Sequence, residues 1–361
     1  MKIVYLAPME LPIPYEKGAV EEIIWQLSQR LKNFAEVYIF NPISSNDFCK
    51  FVKGVKLIMY RCGDCIIHSH NLYASLSLSL INRKIRHILT LHYPPTITKL
   101  RYRGEILKTI LKYLDAIRTI ITAPSLYIKE QLAQIGIKRA IFIPNGVDTN
   151  MFNPAKRSRE LREKLLGDKD VLIVNVGRIH PDKNQMALLV ALNTLVNRYG
   201  YKNLKLVLIG PTSGVFGKHR ENPYYKLLIE YIRKHELEPY VTLMELPRRD
   251  VARVLASSDI YVHPSRVEAA PLAILEAMAS RLPIIAFDLP YYKGYLAHGV
   301  NALLAPPYDV NTLTSYLLVL INEKSYRRVL AENAWSTANK IFSWDSLLSL
   351  YLKLYKGMPA L

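Results

Sequence analysis

Two carboxylates, Glu268 and Glu276, stand with seven residues between them in PSRVEAAPLAILEAMASRLPIIAF, residues 264–287, a stretch otherwise apolar enough to form core. Ionised carboxylates accept hydrogen bonds and donate none, and both of these could point toward a ligand at a strand end. In GRIHPDKN, Arg178 directly follows a β-branched run, and Lys183 opens a helix expected from about Asp182. A guanidinium fork, an ammonium point charge and the free amides of a helix N-terminus together suit phosphate. Two histidines close strand-like runs, His70 in CIIHSH and His92 in HILTLH, where an imidazole can hold or move a proton near neutral pH. Each residue also has an ordinary structural role. Arg178 and Lys183 would then be solvated surface cations, Glu276 a helix-surface acid, Glu268 a partner of the helix dipole, and His92 a packed strand-end imidazole.

The elements that must position these groups read as βα units. KIVYLAP, EVYIF, VKLIMY, CIIHSH, HILTLH, TIITAP and RAIFIPN form one series of strand candidates; VLIVNVG, LKLVLIG, VTLME, IYVHPS, PIIAF and ALLAP form a second. Amphipathic segments such as AVEEIIWQLSQRL and YIKEQLAQI lie between several of them. Alternation of this kind builds parallel sheets, whose ligands bind beyond the carboxyl ends of the strands. The polar residues named above fall at such ends, so a cleft between two sheets is expected to gather them around one ligand. The polar segment 153–170 is the expected connection between the series. After IYVHPS a helix is expected with Pro271 in its first turn, Glu268 in the loop before it and Glu276 about one and a half turns in. Leu272, Ile274, Leu275 and Met278 supply that helix's apolar surface.

The chain has 361 residues, of which 50% are hydrophobic and 22% charged, which is a globular composition long enough for two domains. Its apolar runs fall short of the roughly 20 residues of a membrane helix, and MKIVYLAPMELP has no signal-peptide pattern. A cytoplasmic chain is therefore expected. The net charge of +18 is spread evenly, with 20 basic against 11 acidic side chains in residues 1–150 and 28 against 19 in the rest. An ion-rich thermophile surface accounts for much of it. Without a basic tail, aromatic-basic repeats or a helix-turn-helix pattern, no nucleic-acid partner is expected. Cys62, Cys65, His68 and His70 have spacing that zinc would tolerate. Strand packing is the preferred role for His68 and a cleft position for His70, so no metal is expected. KLRYRGEILKTILKYLDAIR carries six basic and two acidic residues beside a stripe of Leu and Ile. Core packing explains the stripe, and the cations raise the expectation of a peripheral contact with anionic lipid at the inner membrane face.

Glu268 and Glu276, followed by AMASRLPIIA, resemble the hallmark of retaining glycosyltransferases of the GT-B fold, specifically family 4. The resemblance extends along the chain through KGAVEEIIWQLSQRL, CIIHSH, IPNGVD, VGRIHPDKN, LVLIG and the terminal FSWDSLLSLYLKLY. It implies an α/β chain of two Rossmann-like domains facing each other across a cleft. Residues 1–165 would form an acceptor domain and 166–342 a nucleotide-sugar donor domain, with a helix at 343–361 crossing back to the first. It implies a retaining hexosyltransferase-type enzyme that moves a sugar from a UDP- or GDP-sugar to a hydroxyl of a glycan or lipid-linked glycan, without cofactor or metal. Glu268, with the backbone at Ala269, Ala270 and Leu272, would bind the donor sugar; Glu276 would bind ribose. Arg178 and Lys183 would hold the diphosphate, the turn at Gly18 and Ala19 would approach the distal phosphate, His92 would line the catalytic centre, and His70 would lie on the acceptor side. Ala19 stands where the family has a second glycine, Ala270-Pro271 where it has Phe-Gly, and Glu245 where it has glycine. The competing expectations are a sugar-nucleotide epimerase on a related scaffold and a noncatalytic nucleic-acid-binding protein.

Overall fold

The computed structural model describes residues 1–7, 18–40, 65–82, 85–95, 101–211, 222–268 and 272–357, with the side chains of 101–103 excepted. The chain divides into two compact units, Met1–Gly146 with Trp344–Leu361, and Val147–Ser343.

The first unit is built on a parallel sheet of strands β1 (Lys2–Leu6), β2 (Glu36–Phe40), β3 (Ile66–Ser69), β4 (Arg86–Thr90), β5 (Ile120–Ala123) and β6 (Ile141–Phe142), in the order β2-β1-β3-β4-β5-β6. Ile3, Val4, Tyr5 and Leu6 of β1 are all buried, which is why the strand is apolar throughout rather than alternating. Val4, Leu6, Cys65, Ile67, Ala74 and Leu78 pack into one core cluster. VKLIMY lies outside the described residues. In the basic helix Arg101–Ala116, Leu111 and Leu114 are fully buried, as the core-packing expectation required.

The second unit carries a parallel sheet of β7 (Val171–Val176), β8 (Leu204–Ile209), β9 (Val241–Met244), β10 (Ile260–His263), β11 (Ile284–Phe287) and β12 (Ala302–Ala305), in the order β12-β11-β10-β7-β8-β9. The division of the chain precedes the break expected at 165, because helix Arg159–Leu166 is tied to the second sheet's own surroundings. The Ser158 N–H donates to Ser257 Oγ (3.0 Å), and Arg162 pairs with Asp259 at 2.8 Å. Helix Trp344–Lys356 belongs to the first unit, where the hydroxyls of Tyr355 and Tyr5 meet at 2.7 Å inside the core. Among the described residues, no helix is long and apolar enough to cross a membrane.

Candidate functional site

In the second sheet β7 and β10 are paired neighbours, with β8 and β9 on one side and β11 and β12 on the other. Connections therefore leave β7 and β10 in opposite directions, and the carboxyl ends of the two strands flank the point where strand order reverses. Arg178 follows β7 and Glu268 follows β10, so a sequence separation of some ninety residues collapses at one sheet edge.

Beyond β7 the chain passes very close to the end of β8. A Cβ on Gly210 would lie 2.0 Å from the Gly177 carbonyl oxygen, so only glycine fits there. Arg178 is exposed, while its carbonyl accepts from Nε2 of the fully buried Gln185 at 2.9 Å. PDK then forms a 3-10 turn, Pro181–Lys183, in which the Asp182 N–H donates to His180 Nδ1. Asn184, at φ 52° and ψ 42°, separates this turn from helix Gln185–Asn193. The helix expected from Asp182 thus starts at Gln185, because a left-handed residue cannot continue a right-handed turn. Asn is among the few residue types that accept that conformation readily.

This loop brings Lys183 Nζ onto Glu268 Oε1, although the two residues are 85 apart in sequence. His263 Nε2 lies 2.8 Å from the same oxygen, and His263 Nδ1 lies 2.9 Å from the Tyr261 hydroxyl. Burial alone would raise the pKa of the Glu268 carboxyl; the Lys183 charge and the His263 contact prevail and hold it at about 2. Glu268 is therefore an ionised acid with only 8% of its surface exposed, rather than a solvated partner of the helix dipole.

Glu276 lies in helix Leu272–Ala279 and is 5% exposed. Its Oε1 sits 2.6 Å from Arg248 Nη2, and that guanidinium lies over the buried Phe152 ring at 5.1 Å from its centre. A helix-surface role is thereby replaced by a nearly buried ion pair. Leu272, the first residue of that helix, is buried. Ala269, Ala270 and Pro271 lie outside the described residues.

In the first unit His70 and His92 are both buried and brought together, with His70 Nδ1 2.8 Å from His92 Nε2 and the rings stacked. His68 stacks on His70, with centroids 4.6 Å apart, as expected of imidazoles two apart on one strand face. Burial pushes His92 down to about 4; burial and the neighbouring imidazoles push His70 well below its ordinary value. Both rings are neutral near pH 7. His68 spends both nitrogens inside the core, on the Tyr355 hydroxyl (2.7 Å) and Thr90 Oγ1 (2.7 Å). Cys62 lies outside the described residues, and among those described no group of three or more metal-binding side chains is assembled. Gly18 caps helix Ala19–Leu31 in extended conformation, φ −103°, and Ala19 is already helical. Neither needs a left-handed backbone, so alanine at the second position costs the turn nothing.

Lys183 and Glu268 are therefore in contact, whereas Arg178 stands apart from them and Glu276 has a partner of its own. Sequence reasoning missed His263, Tyr261 and Arg248. VHPS placed a histidine at the end of β10, five residues before Glu268, but nothing in the order of residues marked it as the acid's partner.

The model for glycosyl transferases group 1 matches residues 156–337, and that for Glycosyltransferase Family 4 matches residues 20–151. The chain is 27% identical over 350 residues to an uncharacterized glycosyltransferase, MJ1178, of Methanocaldococcus jannaschii, covering 95% of this chain and 88% of that protein. It is 26% identical to the UDP-Gal:alpha-D-GlcNAc-diphosphoundecaprenol alpha-1,3-galactosyltransferase of Escherichia coli, covering 70% of this chain and 66% of that one. The crystal structure of Anabaena Alr3699/HepE in complex with UDP and glucose superposes with a TM-score of 0.81 at 20% identity, covering 99% of this chain and all of that one. The fold is accordingly GT-B, and the chain belongs to the group 1 glycosyltransferases, a family of sugar-transferring enzymes.

Proposed function

We propose that this protein is a metal-independent, retaining transferase that moves a sugar from a nucleoside diphosphate to a hydroxyl of a glycan or lipid-linked glycan. The observation that carries this reading is the Lys183–Glu268 pair at the carboxyl ends of the paired strands β7 and β10. Glu268, ionised and acceptor-only, receives hydroxyls of the donor sugar. Lys183 reaches from that acid to the diphosphate, where Arg178 joins it, and both stabilise the charge that grows as the glycosidic bond breaks. Glu276, aimed by Arg248, receives the ribose hydroxyls. The amides at Gly18 and Ala19 meet phosphate, His92 lines the catalytic centre, and His70 lies on the acceptor side. The bond from the anomeric carbon to the phosphate oxygen breaks while the bond to the acceptor oxygen forms on the same face. The acceptor's proton passes to the departing phosphate. A lipid-linked acceptor is supported by the relative whose name specifies a diphosphoundecaprenol substrate.

The test is thermal stabilisation of the pure protein by a panel of UDP- and GDP-sugars, with and without EDTA, followed by transfer assays that read the anomeric configuration of the product. A correct donor at about a hundred times its Kd adds about 2.7 kcal/mol of stability. No stabilisation by any nucleotide sugar, an inverted product, or activity that disappears in EDTA and returns with magnesium or manganese would overturn the corresponding part of the reading.

A further inference from the structure

We propose that Tyr261 and His263 form a relay of fixed tautomer that aims the Glu268 carboxylate, so that His263 is the positioning residue of the sugar-binding acid. This rests on the reading that Glu268 meets the donor sugar.

Tyr261 and His263 are two apart on β10 and so share a face; their rings stack with centroids 5.9 Å apart. Tyr261 is fully buried and His263 is 2% exposed, so neither can substitute water for a missing partner. The Tyr261 hydroxyl has one proton and two acceptors within reach, His263 Nδ1 at 2.9 Å and the Val176 carbonyl at 3.4 Å. The shorter contact takes the proton. Accepting at Nδ1 leaves the imidazole's own proton on Nε2, which faces Glu268 Oε1 at 2.8 Å. The far end of the relay demands the same tautomer, because a lone pair on Nε2 would repel the ionised carboxylate. Ser265 Oγ, 3.0 Å from Nε2, and the Tyr292 ring, edge-on at 6.3 Å, close the sides of the imidazole.

The relay ends on an oxygen that Lys183 also contacts. Without the His263 proton, Oε1 would keep Lys183 alone, and the acid would turn toward the cation needed at the diphosphate. The loss should then appear in sugar transfer before it appears in nucleotide binding.

Two arms test this. Imidazole 15N NMR of the ligand-free protein should show His263 as the Nε2–H tautomer near neutral pH, and Tyr261→Phe, which removes only the donor at Nδ1, should shift it toward a mixture. In transfer assays Tyr261→Phe and His263→Gln should lower kcat by roughly tenfold, about one hydrogen bond to a charged group, with the Kd of the sugar-free nucleoside diphosphate changed less than about twofold. His263→Leu should lose substantially more than His263→Gln, whose amide can still donate. An Nδ1–H tautomer in the parent protein, equal losses in the Gln and Leu variants, or a parallel loss of nucleoside diphosphate affinity would overturn the relay. Failure of the donor reading looks different, since the parent protein would then bind no nucleotide sugar while the NMR arm still reads the tautomer.

Discussion

Acidification from about pH 7 to 5.5 should destabilise the first unit strongly, because four imidazoles in it are held neutral by burial. His68 and His87 are pushed down to about 3 and His92 to about 4, and His70 falls well below the ordinary value. The sign follows from proton counting. Unfolding restores each group to about 6.5, so below that pH the unfolded chain binds more protons than the folded one, and stability falls as pH drops from 6.5 toward 4. Over the stated interval each histidine held neutral contributes about 1 kcal/mol, so the four together remove several kcal/mol, a large share of the stability of an ordinary domain. Denaturant unfolding at stepped pH, followed through Trp25 and Trp344 of this unit, measures the loss directly. His87 lies at the opposite end of its strand from His92, and its Nδ1 makes only a 3.5 Å contact with Thr119. His87→Asn should therefore flatten the pH dependence by one proton, about 1.4 kcal/mol per pH unit at most. A first-unit stability that changes by less than about 1 kcal/mol over the interval would refute the assignment of four neutral buried imidazoles.

Arg178→Ala and Lys183→Ala should each weaken nucleoside diphosphate binding by about 1.5 to 3 kcal/mol, roughly tenfold or more, as read by calorimetry; unchanged affinity in both would remove the phosphate assignment. Gly210→Ala should destabilise the second unit by about 1 to 3 kcal/mol in thermal unfolding, since its Cβ meets a backbone carbonyl that no rotamer change can move.

Strand ends were the most legible part of the site. Polar residues placed just after apolar runs pointed to Arg178, Lys183 and Glu268 in the second unit and to His92 in the first, since β-branched runs and the residues that follow them are local features. Partnership was not legible, because it depends on which strands become neighbours. His263 and Glu268 are close in sequence, but their contact requires the loop to fold back on β10; Arg248 reaches Glu276 only once two helices pack. Asn184 could have been found, since an Asn between a Pro-containing turn and an apolar helix is a natural left-handed position. The burial of both acids went unseen for the same reason that their pairing with Lys183 and Arg248 did: each charge is tolerated inside only by a counter-charge distant in sequence.

The helix Trp344–Lys356 supplies Tyr355 to the interior of a unit whose sheet was translated whole before the second unit began. During synthesis, the stretch up to Gly146 leaves the ribosome without the hydroxyl that pairs with Tyr5 and His68, and it must wait for more than two hundred further residues, the whole second unit among them, to receive it. The usual order, in which the earlier-made domain finishes first, is reversed here. Val147–Ser343 is contiguous and can complete its core while the earlier segment is still unfinished, so the N-terminal stretch is the one that should depend on chaperone shelter while nascent.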